Sequence, residues 1–329
     1  MTDLAPPPRR DLPPDRHELR RAHLLTELVP PAAAPRRASR ARAAATAVAA
    51  LGLAFGTALA IAVAPGAGPR PGPSGPPPMA NAAAVDVLNR ASRAAAAGPV
   101  LHPRPDQFFY FESKQYQDGT TELRRAWFPV DTRSAGLVRN SETEDGMWVC
   151  EGNEAWQERE TAAGAVGRPV PVDLANPPAD CGNRDVRVRG LPSDAAEMRR
   201  WLYRNSDGDN PPDVQAFVTV GDTIRERYVP PETLSVLFAA AARIPGVTVA
   251  RGVTDPAGRT GVAVGLTWRG VRHELIFDAG TYAFLGERQV VGTASTRRPE
   301  DAPGEPGEVL YASAELRTAV TDRAGQIPE

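Results

Sequence analysis

The sequence predicts an α+β protein: one transmembrane helix, followed by an extracytoplasmic domain in which helices pack on a curved antiparallel sheet. Three observations carry this. Ala43 to Ala64 is a run of 22 residues without a charge, the length a helix needs to cross the hydrocarbon core of a bilayer. Residues 193–241 carry three successive apolar stripes at helical spacing. Residues 247–291 change to a period of two, with connections so short that neighbouring strands must be antiparallel.

The uncharged run is rich in Ala, with Val48, Leu51, Leu53, Phe55, Leu59, Ile61 and Val63 as its stronger apolar side chains. Arg36, Arg37, Arg40 and Arg42 stand just before it, and after it only Arg70 precedes Arg90. Cationic residues beside a span stay cytoplasmic, so the N-terminus is expected inside and the C-terminal domain outside, on a single-pass anchor in the cell membrane. Ala62-Val63-Ala64 also resembles a signal-peptidase site. The 42 residues ahead of the run and its own length favour an uncleaved anchor. Gly52 and Gly56 form a G-x-x-x-G, which allows weak homodimerisation through close helix approach or arises by chance in so Ala/Gly-rich a span.

The domains follow as residues 1–42, a mostly disordered cytoplasmic tail; 43–64, the span; 65–80, a spacer; and 81–329, the extracytoplasmic α+β domain. In the tail, Asp15 and Glu18 after Pro13-Pro14 make a capping-box-like start. Leu19, Leu24, Leu25 and Leu28 then form a thin stripe, either a docking helix for a cytoplasmic partner or a solvated face. Pro65–Pro78 holds seven Pro and four Gly and reads as an extended spacer, reaching ~40 Å at about 3 Å per residue. Nineteen of the 20 aromatic residues lie beyond position 100, so the core must form there.

Asn81–Ala97 reads as a helix stopped by Gly98-Pro99. Gln107–Gln117, Glu122–Phe128, Gly136–Asn140 and Met147–Cys150 read as strands. Glu151–Arg189 is polar and Pro-rich without a sustained period, a long loop. Ser193 or Asp194 caps a helix to about Arg204 that buries Met198, Trp201 and Leu202. Asp213 to about Arg227 places Val214, Phe217, Val218 and Ile224 on one side. Pro231 opens a third helix in which Leu234, Leu237, Phe238 and Ala241 share a face. A four-stranded meander over 247–291 follows, turning at Asp255-Pro256-Ala257-Gly258, Arg269-Gly270 and Asp278-Ala279-Gly280. Glu308–Val320 adds a last strand. On the strand with Val262, Val264, Leu266 and Trp268 on one face, the other face is Gly261, Ala263, Gly265 and Thr267. That bare face offers close packing to a helix or room for a ligand.

The chain beyond residue 42 carries 29 basic and 35 acidic residues, a poor balance for neutralising phosphates, so nucleic acid is not an expected partner. Cys150 and Cys181 both lie beyond the span. Outside the cytoplasm an isolated pair is most simply a disulfide, worth about 3–4 kcal/mol for a loop of roughly 30 residues. A metal pair or a catalytic thiol would need partners, and only His102 and His273 lie outside. No G-x-S-x-G, P-loop, H-E-x-x-H or C-x-x-C occurs. Asn205, Asp207 and Asp209 alternate like a calcium loop, but Asn210 and Ala216 stand where Gly and Glu are needed. Asp255, Arg259, Glu274 and Asp278 flank turns, where capping and cross-strand pairing are their simplest roles. No catalytic, cofactor-binding or metal residue is therefore assigned, and no cofactor is expected.

Ile244-Pro245-Gly246-Val247, Thr254-Asp255-Pro256-Ala257-Gly258-Arg259-Thr260-Gly261-Val262, Leu275-Ile276-Phe277-Asp278 and Leu285-Gly286-Glu287 make up a distinctive run. With the tail, span and spacer, it resembles a family of actinobacterial single-pass membrane proteins of unassigned function with a C-terminal extracytoplasmic domain. More distantly, the order of helices and antiparallel strands is similar to the LolA/RseB-type lipoprotein carriers, whose curved sheet holds helices and sometimes an acyl chain. The tail is similar to that of membrane-anchored anti-sigma regulators, without the His and Cys of their zinc-binding type. The topology, the spacer, the aromatic-rich curved sheet and the absent catalytic motifs point to a non-enzymatic binding or sensing protein, and the carrier resemblance implies a lipid, lipoprotein-like or envelope protein ligand. The alternative they imply is a membrane-tethered regulator whose tail binds a cytoplasmic partner. A ligand would be sought on the concave sheet face near Phe109, Phe111, Trp127 and Trp268, residues that equally suit a core.

Overall fold

The computed structural model describes residues 81–140, 145–150, 170–206, 208, 210–292 and 304–329. The expected tail, span with Gly52 and Gly56, and spacer lie outside the described residues, as do Asp207 and Asp209. Among the described residues no helix is long and apolar enough to cross a membrane.

Asn81 caps the first helix, α1 (Ala82–Ala96), by accepting from the Ala83 amide. A meander follows: β1 (Phe108–Gln117), β2 (Thr120–Pro129), β3 (Gly136–Arg139), β4 (Asp145–Val149) and the two-residue β5 (Val170–Pro171). Three helices come next. Asp194 caps α2 (Ala195–Arg204) through the Ala196 and Glu197 amides. Pro212 and Pro231 open α3 (Pro212–Ile224) and α4 (Pro231–Ala241), positions where the missing N–H has no partner to lose. The chain closes with β6 (Thr248–Thr254), β7 (Thr260–Trp268), β8 (Val271–Asp278), β9 (Phe284–Val291) and β10 (Val309–Thr321).

All ten strands form one open antiparallel sheet in the order β5-β4-β3-β2-β1-β10-β9-β8-β7-β6. The first meander thus runs outward from β1 to one edge and the second inward from the other edge to β10, and they meet where β1 pairs with β10, Phe109 opposite Val320 and Ser113 opposite Glu315. The segment holding α2, α3 and α4 carries the chain from one edge to the other.

The helices pack on β6–β8. Val262, Val264 and Leu266 of β7 and Leu275 and Phe277 of β8 join Leu88, Met198, Leu202, Phe217, Leu237 and Phe238 in the largest apolar cluster. Phe238 and Phe277 meet edge to face at 5.1 Å. Trp201 and Leu234 are only partly buried at its margin. A second cluster on the same sheet surface joins Phe109, Phe111, Phe128 and Val138 to Tyr228 and Val186. The opposite surface has its own, built on Tyr110, Trp127 and Leu137.

Two expectations are corrected. The bare face of β7 neither receives a helix nor opens onto space, because the helices take the Val262 face. A Cβ built on Gly261 would lie 2.5 Å from the Phe277 carbonyl oxygen, and one on Gly265 would collide with that of His273. The glycines are therefore needed for close approach of β8. The second correction concerns α3, which ends at Ile224 rather than near Arg227. Glu226 adopts φ 48°, and Tyr228 leaves the helix to bond with another segment, its amide donating to Val186 and its carbonyl accepting from Val188.

Candidate functional site

Side chains alternate across a strand, and directly paired residues share a face. On the helix-facing surface, β1 therefore presents Phe109 and Phe111 and then Ser113, Gln115 and Gln117. Their partners on β10 are Glu315, Ser313 and Tyr311, whose partners on β9 include Glu287 and Gln289. Arg124 of β2 stands opposite Ser113. A polar band thus crosses the central strands, between the apolar cluster under the helices and the one around Phe109.

The end of α3 and the turn after it overhang this band. Gly221 sits where a Cβ would come within 2.6 Å of Glu287 Oε2. A mid-helix glycine costs about 1 kcal/mol relative to Ala, and here it lets α3 approach the carboxylate. Arg225 Nε donates to Glu287 Oε1 at 2.5 Å, and Nη1 to Asp222 Oδ1 at 3.0 Å. Glu226 accepts from Arg124, whose Nη1 also donates to Asn140 Oδ1 at 2.7 Å. Tyr228 closes the far end, its ring stacked 5.2 Å from that of Phe109 and its hydroxyl accepting from the Leu101 amide at 2.8 Å.

The result is a polar cleft. Glu287 and Glu315 are partly exposed at its floor, and Ser313 Oγ is buried among them without a hydrogen-bond partner. Burial raises the Glu315 carboxyl to about 8, helped by Glu287 and Glu226 and opposed by Arg225 and Arg259. Burial also raises Glu287, against the pull of Arg225. Burial works to lower Arg225, and Glu287, Tyr311 and Asp222 together more than offset it. Burial pushes the Tyr311 hydroxyl upward. At neutral pH the floor therefore offers a largely protonated carboxyl beside two guanidinium–carboxylate pairs. These groups can bind polar and charged partners and exchange a proton.

Of the residues singled out in the sequence, Cys150 and Cys181 are joined in a disulfide, with Cα atoms 4.8 Å apart and both residues buried. Phe109, Phe111 and Trp127 are buried in packing clusters. Trp127 pairs with Tyr110, on the surface opposite Phe109, so the four aromatic residues do not share one face. Trp268 packs at the edge of the helix cluster. Asp255 caps its turn through the Ala257 and Arg259 amides, and Asp278 through those of Gly280 and Thr281. Glu274 accepts from Arg272 on its own strand and from Arg288 across β9. Among the described residues no group of His, Cys, Asp and Glu is spaced to hold a metal. On the surface away from the helices, Phe108, Trp148, Leu174, Pro177 and Ala324 help line an open depression of about 780 Å³.

No protein-family model matches the chain, and no curated protein does. Among solved structures the chain is similar to the crystal structure of MucB, at 14% identity and a TM-score of 0.26, over 76% of this chain and 61% of that one. It is similar also to the Pseudomonas aeruginosa MucA/MucB complex, at 13% identity and 0.26, over 75% and 59%. A third similarity is to MucB in complex with MucA(peri), at 12% and 0.24, over 75% and 58%. The chain thus spans about three-fifths of the length of these structures.

Proposed function

We propose that this chain is a non-enzymatic extracytoplasmic binding or sensing protein on a single-pass membrane anchor, and that its ligand lies in the cleft beneath Arg225 and Glu226. The observation that carries this reading is that, among the described residues, the helices cover one part of the sheet and leave the central strands polar. Helices pack on β6–β8, whereas β9, β10, β1 and β2 turn a polar band toward the cleft. Sheet surfaces held only for stability are filled by apolar side chains. A band of ionisable groups at the meeting of two apolar clusters costs desolvation, and ligand recognition is a reason to keep it.

The formed Cys150–Cys181 bond supports an oxidising compartment, in accord with the uncharged run and the Arg residues before it. The polar lining fits a ligand with hydrogen-bonding and charged groups, such as a segment of an envelope protein. Native mass spectrometry of the full chain purified from its own host, with lipid extraction in parallel, tests the reading. A co-purifying peptide or protein lost on mutation of the cleft supports it. A co-purifying lipid retained by cleft variants moves the site to the apolar depression beside Trp148. A chain that carries nothing and binds nothing from an envelope extract overturns it.

A further inference from the structure

Among the described carboxyls of the cleft, Asp222 and Glu287 share Arg225, and Glu226 holds Arg124. Glu315 makes neither a hydrogen bond nor an ion pair. Ser313 occupies the same strand face two residues away; it is 1% exposed, and its Oγ has no hydrogen-bond partner. The Tyr311 hydroxyl interacts with it weakly from the other side. Buried polar groups are satisfied in nearly all native structures, so an unsatisfied hydroxyl beside an unpaired carboxyl marks a place where a hydrogen-bond partner is missing.

We propose that the cleft binds an organic cation, an alkylammonium or guanidinium group of the kind that ends a lysine or arginine side chain, against Glu315 and Ser313. The inference rests on the cleft being a binding site, and it names the ligand's chemical class. Such a group is all donor, and the Glu315 carboxylate, once ionised, and the Ser313 hydroxyl can both accept from it. The groups acting on Glu315 are Glu287 from β9, Arg225 and Glu226 at the end of α3, and Arg259 just before β7, with Tyr311 on its own strand; Arg124 from β2 holds Glu226. A cation seated there favours the ionised carboxyl, so the proton that Glu315 carries at neutral pH leaves as the cation enters.

The test is isothermal titration calorimetry on the full chain in detergent, at pH 7. The probes are butylammonium, butylguanidinium, neutral butylurea, and acetylated, amidated tripeptides with a central Lys or Arg. Saturable binding of the cations and not of butylurea is expected. The heat should vary with buffer ionisation enthalpy to show release of close to one proton. Glu315→Gln, which keeps the shape and removes the charge, should weaken binding at least about tenfold and abolish the proton release. Ser313→Ala should weaken binding less. Tighter binding of the tripeptides than of the free cations identifies a protein segment as the source, and equal binding a free amine. Absence of saturable cation binding, or binding unchanged in Glu315→Gln, overturns the proposal. If a peptide still co-purifies with the chain in that case, the binding reading stands without the cation.

Discussion

Arg124 Nη2 lies 3.2 Å from Glu226 Oε2, in an ion pair that ties the second strand to the turn beyond α3. The two side chains are 8% and 13% exposed, and 102 residues separate them in the chain. Glu226 takes its left-handed backbone conformation at this point, so the end of the helix and the wall of the cleft are one structural event.

Removing one partner of a buried pair leaves the other charge desolvated, at a cost of about 3–5 kcal/mol. Arg124→Met is therefore expected to destabilise the domain by about 3 kcal/mol. Arg124→Met with Glu226→Gln should lose less than the sum of the two single changes. Urea unfolding of the four members of the cycle measures the coupling, and strict additivity would show that the pair contributes nothing beyond its parts.

Glu315 predicts a pH dependence of stability. Its carboxyl rises from 4.5 to about 8 on folding, so between these values the folded chain holds a proton that the unfolded chain has released. The stabilisation is complete below about 4.5 and is lost as pH rises through about 8. Within that window stability should fall by up to about 1.4 kcal/mol per pH unit from this group. Glu287, also raised, acts in the same direction. Thermal unfolding of wild type and Glu315→Gln at pH 5, 7 and 9 checks this. The variant should lose much of the slope, and parallel curves would show that Glu315 ionises normally.

The helices and the C-terminal meander were legible because their signals are local. Gly98-Pro99 stops the first helix, Asp194 announces a cap, Pro231 sits at a first turn, and the short turns at Asp255, Arg269 and Asp278 dictate antiparallel neighbours. The pairing of β1 with β10 was not legible, since Phe109 and Val320 meet across the length of the domain and neither segment names its partner. The cleft was missed for a related reason. Tyr311, Ser313 and Glu315 alternate with Ala312 and Ala314, a pattern that reads as an ordinary solvent face. Only when β10 is placed between β1 and β9 does that face turn inward, and its signal was the matching alternation of Ser113, Gln115 and Gln117. Arg225 and Glu226 read as a last helical turn because their partners come from distant strands.

Gly261 offers a test of the close strand approach in the C-terminal meander. Gly261→Ala places a methyl group 2.5 Å from the Phe277 carbonyl oxygen and 2.9 Å from Ile276 Cγ2. Backbone cannot yield as a side chain can, so β7 and β8 must separate, at about 1–3 kcal/mol. Gly258→Ala in the adjoining turn has open space but a φ of 82°, and should cost only the backbone strain of about 1 kcal/mol. Chemical denaturation of the two variants distinguishes a steric from a conformational requirement. Equal losses would show that strand spacing is not limiting at Gly261.

The disulfide joins Cys150, directly after β4, to the segment that follows β5, its ends 31 positions apart in the chain, and Ala135 packs against both sulfur-bearing residues. Closing a loop of that length restricts the unfolded chain and is worth about 3–4 kcal/mol on the chain-entropy estimate. Asn183, two residues past Cys181, donates through Nδ2 to the carbonyls of Ser134 and Val149, so the bond also holds a hydrogen-bonding side chain against β4. Cys150→Ser with Cys181→Ser should thus lower stability by about 3 kcal/mol. Most of the loss should appear as easier opening around β3 and β4, while the helix cluster on β6–β8 keeps its protection. Hydrogen exchange of the double variant, compared with the oxidised protein, reads both effects. Uniform loss of protection across the sheet would mean that the two meanders unfold as one unit.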